Sequence, residues 1–590
     1  MKKRNQIDEK YKWKLDMFET ESEIEDAFKT FEYLTNTLPK FYGQFGNKDK
    51  FFEYHLNFKD DFLKIYKLNF YISNIYNVDS SNTEILKLSN RFDTAYNKLC
   101  KATSFVSPQH DDLDDDYLLE LLADKRAKDL DVFIKNIIKN KKHKLDEKTS
   151  QVIASLGNSF ENSSTLHSIL SDSEIKFEDA VDSKNKKHKV SSATYFSLIS
   201  SQDRTLRKTA YNSLFNGFAQ FNKTFAELYI SNIKHENDFN KLCNYKNSLE
   251  SRLEEEDVPV SVFDNNLTYV RKNIKVLQDF VKTKAKASGI NKFAYYDLFQ
   301  DEKVGGKISI QNAHSMLKDA ISVLGDEYVA MVNKKLTDSS IDYMPNLNKD
   351  SGAYCSHVYN TKTLILMNWT DDFNSLSTLA HEMGHCINAE YYNLAQPMEK
   401  AEITIFSAEI ASTVNEIILN DYMLKTCNKK NRLYYLNEFL DKVRSTIFRQ
   451  TLFSEFEKYA HGEIEAENPI TYQDLNKKYY SLCKEYYGSS CELPKNLQYE
   501  WSRIPHFYRS FYVYAYSTGL LTAICIANRI LTDETFKDKY INFLKNGTAK
   551  PAVEILKEIG IDLTTSTPFE EAFEFIKNRL QEYKNELNCK

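Results

Sequence analysis

The stretch at 375–392, SLSTLAHEMGHCINAEYY, constrains the chain more than any other. Leu376, Leu379, Ala380, Met383 and Ile387 recur in steps of three and four, the spacing of one helix face. Side chains four apart on a helix lie one turn above each other, so His381 and His385 point the same way and can grip one ion. Glu382 sits beside the first of them, where it can hold a water on that ion. The bland alternative is a chance string, two core or surface histidines at helical spacing.

The pattern His-Glu-x-x-His on a helix is a zinc peptidase signature. A catalytic zinc takes three protein ligands and keeps one position open. Glu409 lies 24 residues after His385, inside FSAEIASTVNEIILNDYML. Ile405, Ala408, Ile410, Val414 and Ile417 predict a second helix there, and a connection of this length lets it fold back antiparallel beside the first. Glu402, Glu409 and Glu416 are seven apart and so line one stripe. The small residues Ala408, Ala411 and Ser412 allow close helix approach, which favours Glu409 as the third ligand. Glu416 is expected behind it, orienting a histidine and fixing its tautomer.

Composition sets the surroundings. Only 15 Gly and 10 Pro among 590 residues point to a mainly α fold, and 42% hydrophobic content is ample for a large core. The length permits two to four domains. A net charge of −6 without a polybasic face argues against a nucleic-acid partner. The basic N-terminal cluster has no apolar run behind it, so no secretory signal is expected. No stretch suits a bilayer span; the best candidate, 520–531, is short and broken by Asn528 and Arg529. Nine scattered cysteines without a Cys-x-x-Cys pair fit reduced thiols in the cytoplasm. Cys386 points away from the ligand face and reads as core.

Taken in order, residues 1 to about 105 read as amphipathic helices, for example 24–35 and 84–100. The acidic run Asp111, Asp112, Asp114, Asp115, Asp116 suits a helix N-terminus, and more helix is expected through about Asn158. Residues 175–190 predict a β-hairpin with a polar tip at 182–187. Residues 209–238 form one long amphipathic pattern, and 302–307 is a loop. Strand-like pieces at 351–354 and 363–367 predict a small sheet just before the zinc helix. Its edge, at Gly352, Ala353 and Tyr354, could pair with the backbone of an extended substrate; the alternative is a hairpin that only braces the helix. Helices are expected to about Gly462, then a less regular region to Leu497. In WSRIPHFYRSFYVYAYSTG, tyrosine hydroxyls need hydrogen-bond partners where phenylalanine would serve a plain core. At least one of His506, Tyr508, Tyr512 and Tyr514 is therefore placed in the active site, where a peptidase needs donors for a developing oxyanion. The chain divides into an N-terminal helical lobe, 1–200, and a catalytic domain, 201–590, with no linker marking the boundary.

With these residues in view, the chain resembles oligoendopeptidase F, within the thimet oligopeptidase-like family of zinc metallopeptidases. The matching pieces are KYKWKLDMFETESE, the hairpin at 175–191, DSGAYCSHVY, LILMNWTDDFNSLSTLAHEMGH, FSAEIASTVNE, RIPHFYRSFYVYAYSTG and IGIDLTTS, in order along nearly the whole chain. The resemblance implies two helical lobes around a deep substrate channel. It implies one Zn2+ on His381, His385 and Glu409, with Glu382 as general base. It also implies that 506–514 supplies substrate and oxyanion contacts. Cys355-Ser356-His357 departs from the smaller residues expected there. The implied substrates are short peptides, cut at internal bonds, with no membrane partner. The rivals are a zinc aminopeptidase, for which no Gly-Ala-Met-Glu-Asn-like piece exists, and a non-catalytic helical peptide-binding protein, against which the intact Glu382 and three ligands stand.

Overall fold

A computed structural model describes residues 1–146, 148–150, 152–153, 162–300 and 306–588. Residues 302–305 of the expected loop, and the helix end expected near Asn158, lie outside these. Helices dominate; the sheets among the described residues are one of two strands and one of three. The chain forms two compact units, one from 1–144, 306–422 and 529–555, the other from 145–305, 423–528 and 556–590.

In the first unit, helices Glu21–Thr37, Lys59–Val78 and Thr83–Ala102 supply much of an aromatic-rich core that includes Phe28, Phe31 and Phe92. Side-chain caps set where they begin. Thr20 and Glu23 form a reciprocal capping box, and Asn82 accepts the N–H groups of Glu84 and Ile85. The acidic run does what its charge suggested: Asp114 caps the helix Asp115–Leu122.

The three-stranded sheet places Leu364–Leu366 centrally, parallel to Ile341–Asp342 and antiparallel to Tyr354–Ser356. Tyr354–Ser356 is thus an edge strand. It starts later than the sequence suggested, because Gly352 is held in a turn. The Gly352 N–H donates to the Asp350 carboxylate (3.1 Å), and the Asn368 amide donates to the carbonyls of Asp350 and Gly352 (2.8 Å each). Beneath the sheet, the fully buried Asp342 pairs with Arg4 and with the Lys349 ammonium (2.7 Å). Lys349 also donates to the carbonyls of Met344 (2.8 Å) and Met367 (2.6 Å). One buried charge cluster therefore ties the N-terminal segment to two strands. Directly after the sheet comes the histidine helix, Phe373–Ala395, begun by Asp372 accepting the Ser375 N–H (2.8 Å). The glutamate helix, Ile405–Thr426, follows.

In the second unit the predicted hairpin is present as Ala180–Val181 and Lys187–His188. Asp182 organises its tip by accepting the N–H groups of Lys184 and Lys186 (2.9 Å each). The continuous pattern at 209–238 is two helices, Arg204–Gln220 and Asn222–Leu242. Phe221 leaves the helical conformation (φ −111°, ψ 18°), a one-residue break that hydrophobic spacing does not register. The region read as less regular contains a full helix, Tyr472–Tyr487. Its start signal was present in the sequence: Thr471 and Asp474 form a capping box. Residues 520–531 lie within Tyr514–Thr532, and no helix among the described residues is long and apolar enough to cross a membrane.

Asp342→Asn leaves the Lys349 and Arg4 charges without their counter-ion. Urea unfolding of the intact chain is expected to show a loss of about 3–5 kcal/mol, the usual effect of breaking a buried pair on one side.

Candidate metal centre

The histidine and glutamate helices run antiparallel in close contact. The Asn415 amide donates to the Ala380 carbonyl (3.2 Å). A Cβ on Gly384 would lie 2.5 Å from the Ser412 Cα and 2.7 Å from the Ala411 carbonyl oxygen. Only a glycine fits there. Sequence reasoning noted the small residues of the second helix but passed over Gly384, the small residue on the first that meets them.

This contact delivers Glu409 to the two histidines. The Nε2 atoms of His381 and His385 are 3.2 Å apart. Glu409 Oε2 is 3.4 Å from the first and 4.0 Å from the second. Donors around a tetrahedral zinc, at about 2.0–2.1 Å from it, stand about 3.3 Å from one another. The three atoms thus approximate one face of such a polyhedron, and the residues present fit the ion.

The electrostatics agree with a ligand set. Burial, with His381 adding to it, pushes the His385 imidazole down to about 3 and so keeps it in the neutral, ligating form. His381 Nδ1 lies 2.7 Å from Glu416 Oε1, so the carboxylate takes the Nδ1 hydrogen and leaves the Nε2 lone pair facing Glu409. Ser377 donates to the other Glu416 oxygen (3.1 Å). Glu402 does not join the stripe: the glutamate helix begins only at Ile405, and Glu402 is exposed before it.

Glu382 is 6% exposed. Burial pushes its carboxyl up to about 7, with His381 opposing and Glu409 and Glu416 adding to the rise; the backbone N–H of Cys355 opposes it too. Glu382 and the three donors line one cavity of about 350 Å3, together with Ala353, Tyr354, His357 and Tyr392. Cys386 is fully buried, as a core residue. Gly352 does not line the cavity; it is held in its turn. The Tyr354 hydroxyl donates to Asn74 (3.1 Å) and accepts from Asn77 (2.9 Å), so this side chain anchors the edge strand. His357, part of the departure at 355–357, reaches the cavity and hydrogen-bonds the Tyr392 hydroxyl. No sequence pattern announced it.

The aromatic segment belongs to the second unit. His506 is exposed on the short turn Pro505–Tyr508. Its ring stacks with Tyr512 (centroids 6.0 Å, planes 18° apart) and meets Tyr516 edge-on (6.0 Å). The other two candidates stand apart from this cluster. Tyr508 packs on His167 (4.6 Å), and Tyr514 is buried against Phe263 (5.6 Å). The segment bends at Phe511, a bulky residue with φ +51°, whose N–H is accepted by the buried Glu457 carboxyl (3.0 Å).

A mainly helical fold carrying two histidines one turn apart, a facing glutamate and a buried glutamate beside them defines a metallopeptidase. Comparison with known proteins agrees. The profile of peptidase family M3 matches residues 197–575, and that of oligopeptidase F matches 112–177; the chain belongs to peptidase family M3. It is 29% identical over 591 residues to oligopeptidase PepF of Bacillus subtilis (strain 168), covering 99% of this chain and 88% of that protein. A solved Chlamydophila abortus chain superposes with a TM-score of 0.92 at 30% identity, covering 99% of this chain and 100% of that one. The oligoendopeptidase-F of Enterococcus faecium gives 0.72 at 28% identity, with coverages of 96% and 98%.

Zinc titration of the metal-free chain is expected to separate the supporting residues. Glu416→Gln weakens binding about 10–100-fold, the usual effect of losing a carboxylate behind a ligating histidine. Gly384→Ala forces the helices apart, costs about 1–3 kcal/mol of stability and also weakens binding. Unchanged affinity in both would refute the dependence on helix approach.

Proposed function

We propose that this chain is a zinc endopeptidase that cuts internal bonds of short, unstructured oligopeptides, with Glu382 as general base. The observation that carries the reading is the shared cavity, in which the Glu382 carboxyl joins the converging His381, His385 and Glu409 donors. When bound, the ion supplies Lewis acidity to the scissile carbonyl and acidifies a water. Glu382 takes the proton of the attacking water and passes it to the leaving nitrogen, so no side chain becomes acylated. Its buried setting suits a carboxylate that must both accept and return a proton.

The remaining roles follow from placement. Glu416 orients His381. Ala353, whose main chain makes no hydrogen bond among the described residues, offers the edge beside Tyr354–Ser356 to the substrate backbone. His506 and Tyr512 are the donors favoured for the oxyanion, an interaction of about 3 kcal/mol per donor, over Tyr508, packed on His167, and Tyr514, packed on Phe263. The names oligopeptidase and oligoendopeptidase, borne by the relatives, support peptides of limited length. The eight described cysteines are all free thiols, in keeping with work in the cytoplasm.

A peptide library digested by wild type and by Glu382→Gln, and read by mass spectrometry, tests this. The variant is expected to retain its metal and lose cleavage by about 10²–10⁴-fold. Peptides with blocked N-termini are expected to be cut as well as free ones. Equal cleavage by both proteins removes Glu382 from its role, and a strict need for a free N-terminus turns the enzyme into an aminopeptidase.

A further inference from the structure

We infer that the second unit carries a second binding site, a pocket at Arg503 that takes the terminal carboxylate of a short peptide whose last side chain is apolar or aromatic. The peptide as ligand rests on the peptidase reading above; the pocket itself does not.

The cavity has a volume of about 350 Å3, within the usual range of small-ligand sites, and lies wholly inside the second unit. Ile199, Leu214, Phe215, Phe218 and Phe299 give it apolar walls. Arg503 is the cation lining it. Its Nε is buried and has no hydrogen-bond partner, and no carboxylate lies within ion-pairing distance of its guanidinium among the described residues. An Arg fork left without an acceptor beside an apolar cavity calls for a planar anion.

The nearby acids do not supply it. Glu500 is 2% exposed and already committed: Arg449 pairs with it (2.7 Å), and the hydroxyls of Tyr479 (2.7 Å) and Tyr295 (3.4 Å) donate to it. Burial works against ionisation of Glu500, yet Arg449 and then Arg503 hold its carboxyl below the usual range. One buried negative charge thus faces two guanidinium groups, and a positive charge is left over. Asp172, the other acid lining the cavity, is exposed at its rim. His167 is kept neutral by burial, its ring nitrogen 2.9 Å from the Ser502 carbonyl oxygen.

A second donor shares the cavity with Arg503. Tyr195 lines the cavity, and its hydroxyl makes no hydrogen bond among the described residues. Burial pushes its phenol well up, with Arg503 opposing, so it stays a protonated donor. One fork and one hydroxyl match the two oxygens of a carboxylate, while the aromatic walls accept the side chain next to it. A phosphate would call for more positive charge. Arg503 and Pro505 also belong to the same short segment as His506, which places this pocket next in sequence to the favoured oxyanion donor.

The test uses the full chain, metal-free and zinc-loaded, with N-acetyl-L-phenylalanine and its amide as probes in calorimetry. The acid is expected to bind at least tenfold more tightly than the amide in both metal states. Arg503→Met should erase that preference and Tyr195→Phe, which keeps the ring, should reduce it several-fold; circular dichroism checks that each variant is folded. Kinetics then separate two sources of the same carboxylate. A lower KM for free-acid than for amidated peptides, lost in Arg503→Met, assigns the pocket to the substrate's own end. Acid binding without that KM difference assigns it to released product peptides. Equal binding of acid and amide overturns the proposal, and so does a preference that disappears with the metal, which would put the carboxylate at His381 and His385 instead. Because the binding arms need no turnover, a failed peptidase reading and a failed pocket are told apart.

Discussion

Everything at the metal centre depends on how closely two helices approach. Gly384 meets the backbone of Ala411 and Ser412 at distances that leave no room for a methyl group. That approach puts Glu409 across from both Nε2 atoms, and two helical turns further along it puts Glu416 behind His381. Glu409, the proposed ligand, and Glu416, the carboxylate proposed to orient His381, are thus seven apart on one helix. Glu382, buried next to His381, has its carboxyl raised to about 7, which suits the proton exchange proposed for it.

The sheet is a second constraint on the same centre. Its edge strand sits beside Glu382, and the Cys355 N–H there opposes the rise of the Glu382 carboxyl. Asp342, with Lys349 and Arg4, fixes the sheet from below. Buried charge, which contributes little net stability by itself, here ties three distant stretches of chain to one geometry. The second unit uses buried charge differently. Glu500 pairs with Arg449, and Arg503 has no carboxylate partner among the described residues, so the surplus faces a cavity rather than a counter-ion.

Where periodicity and ligand chemistry act locally, the sequence is legible. The His381/His385 pair, the helix that carries Glu409 and the short hairpin near 180 all follow from spacing and turn residues. Helix caps are equally local, and Thr471 with Asp474 marked a helix that was read as irregular. Other features depend on contacts between distant segments, which spacing does not carry. Gly384 matters only because Ser412 lies against it. Glu402 shares the seven-residue repeat but falls before the helix starts. Tyr508 and Tyr514 share the aromatic run with Tyr512, yet Tyr508 lies before the bend at Phe511, held by Glu457, and packs on His167, while Tyr514 opens the next helix and packs on Phe263. His357 follows the edge strand directly and reaches the cavity, where it meets the Tyr392 hydroxyl.

X-ray absorption at the zinc edge of the loaded chain tests the central arrangement most directly. Two imidazole shells and oxygen donors at about 2.0–2.2 Å are expected, with one oxygen neighbour lost or replaced in Glu409→Ala. A sulfur neighbour at about 2.3 Å, or a spectrum without imidazole, would contradict the ligand set on which the centre is built.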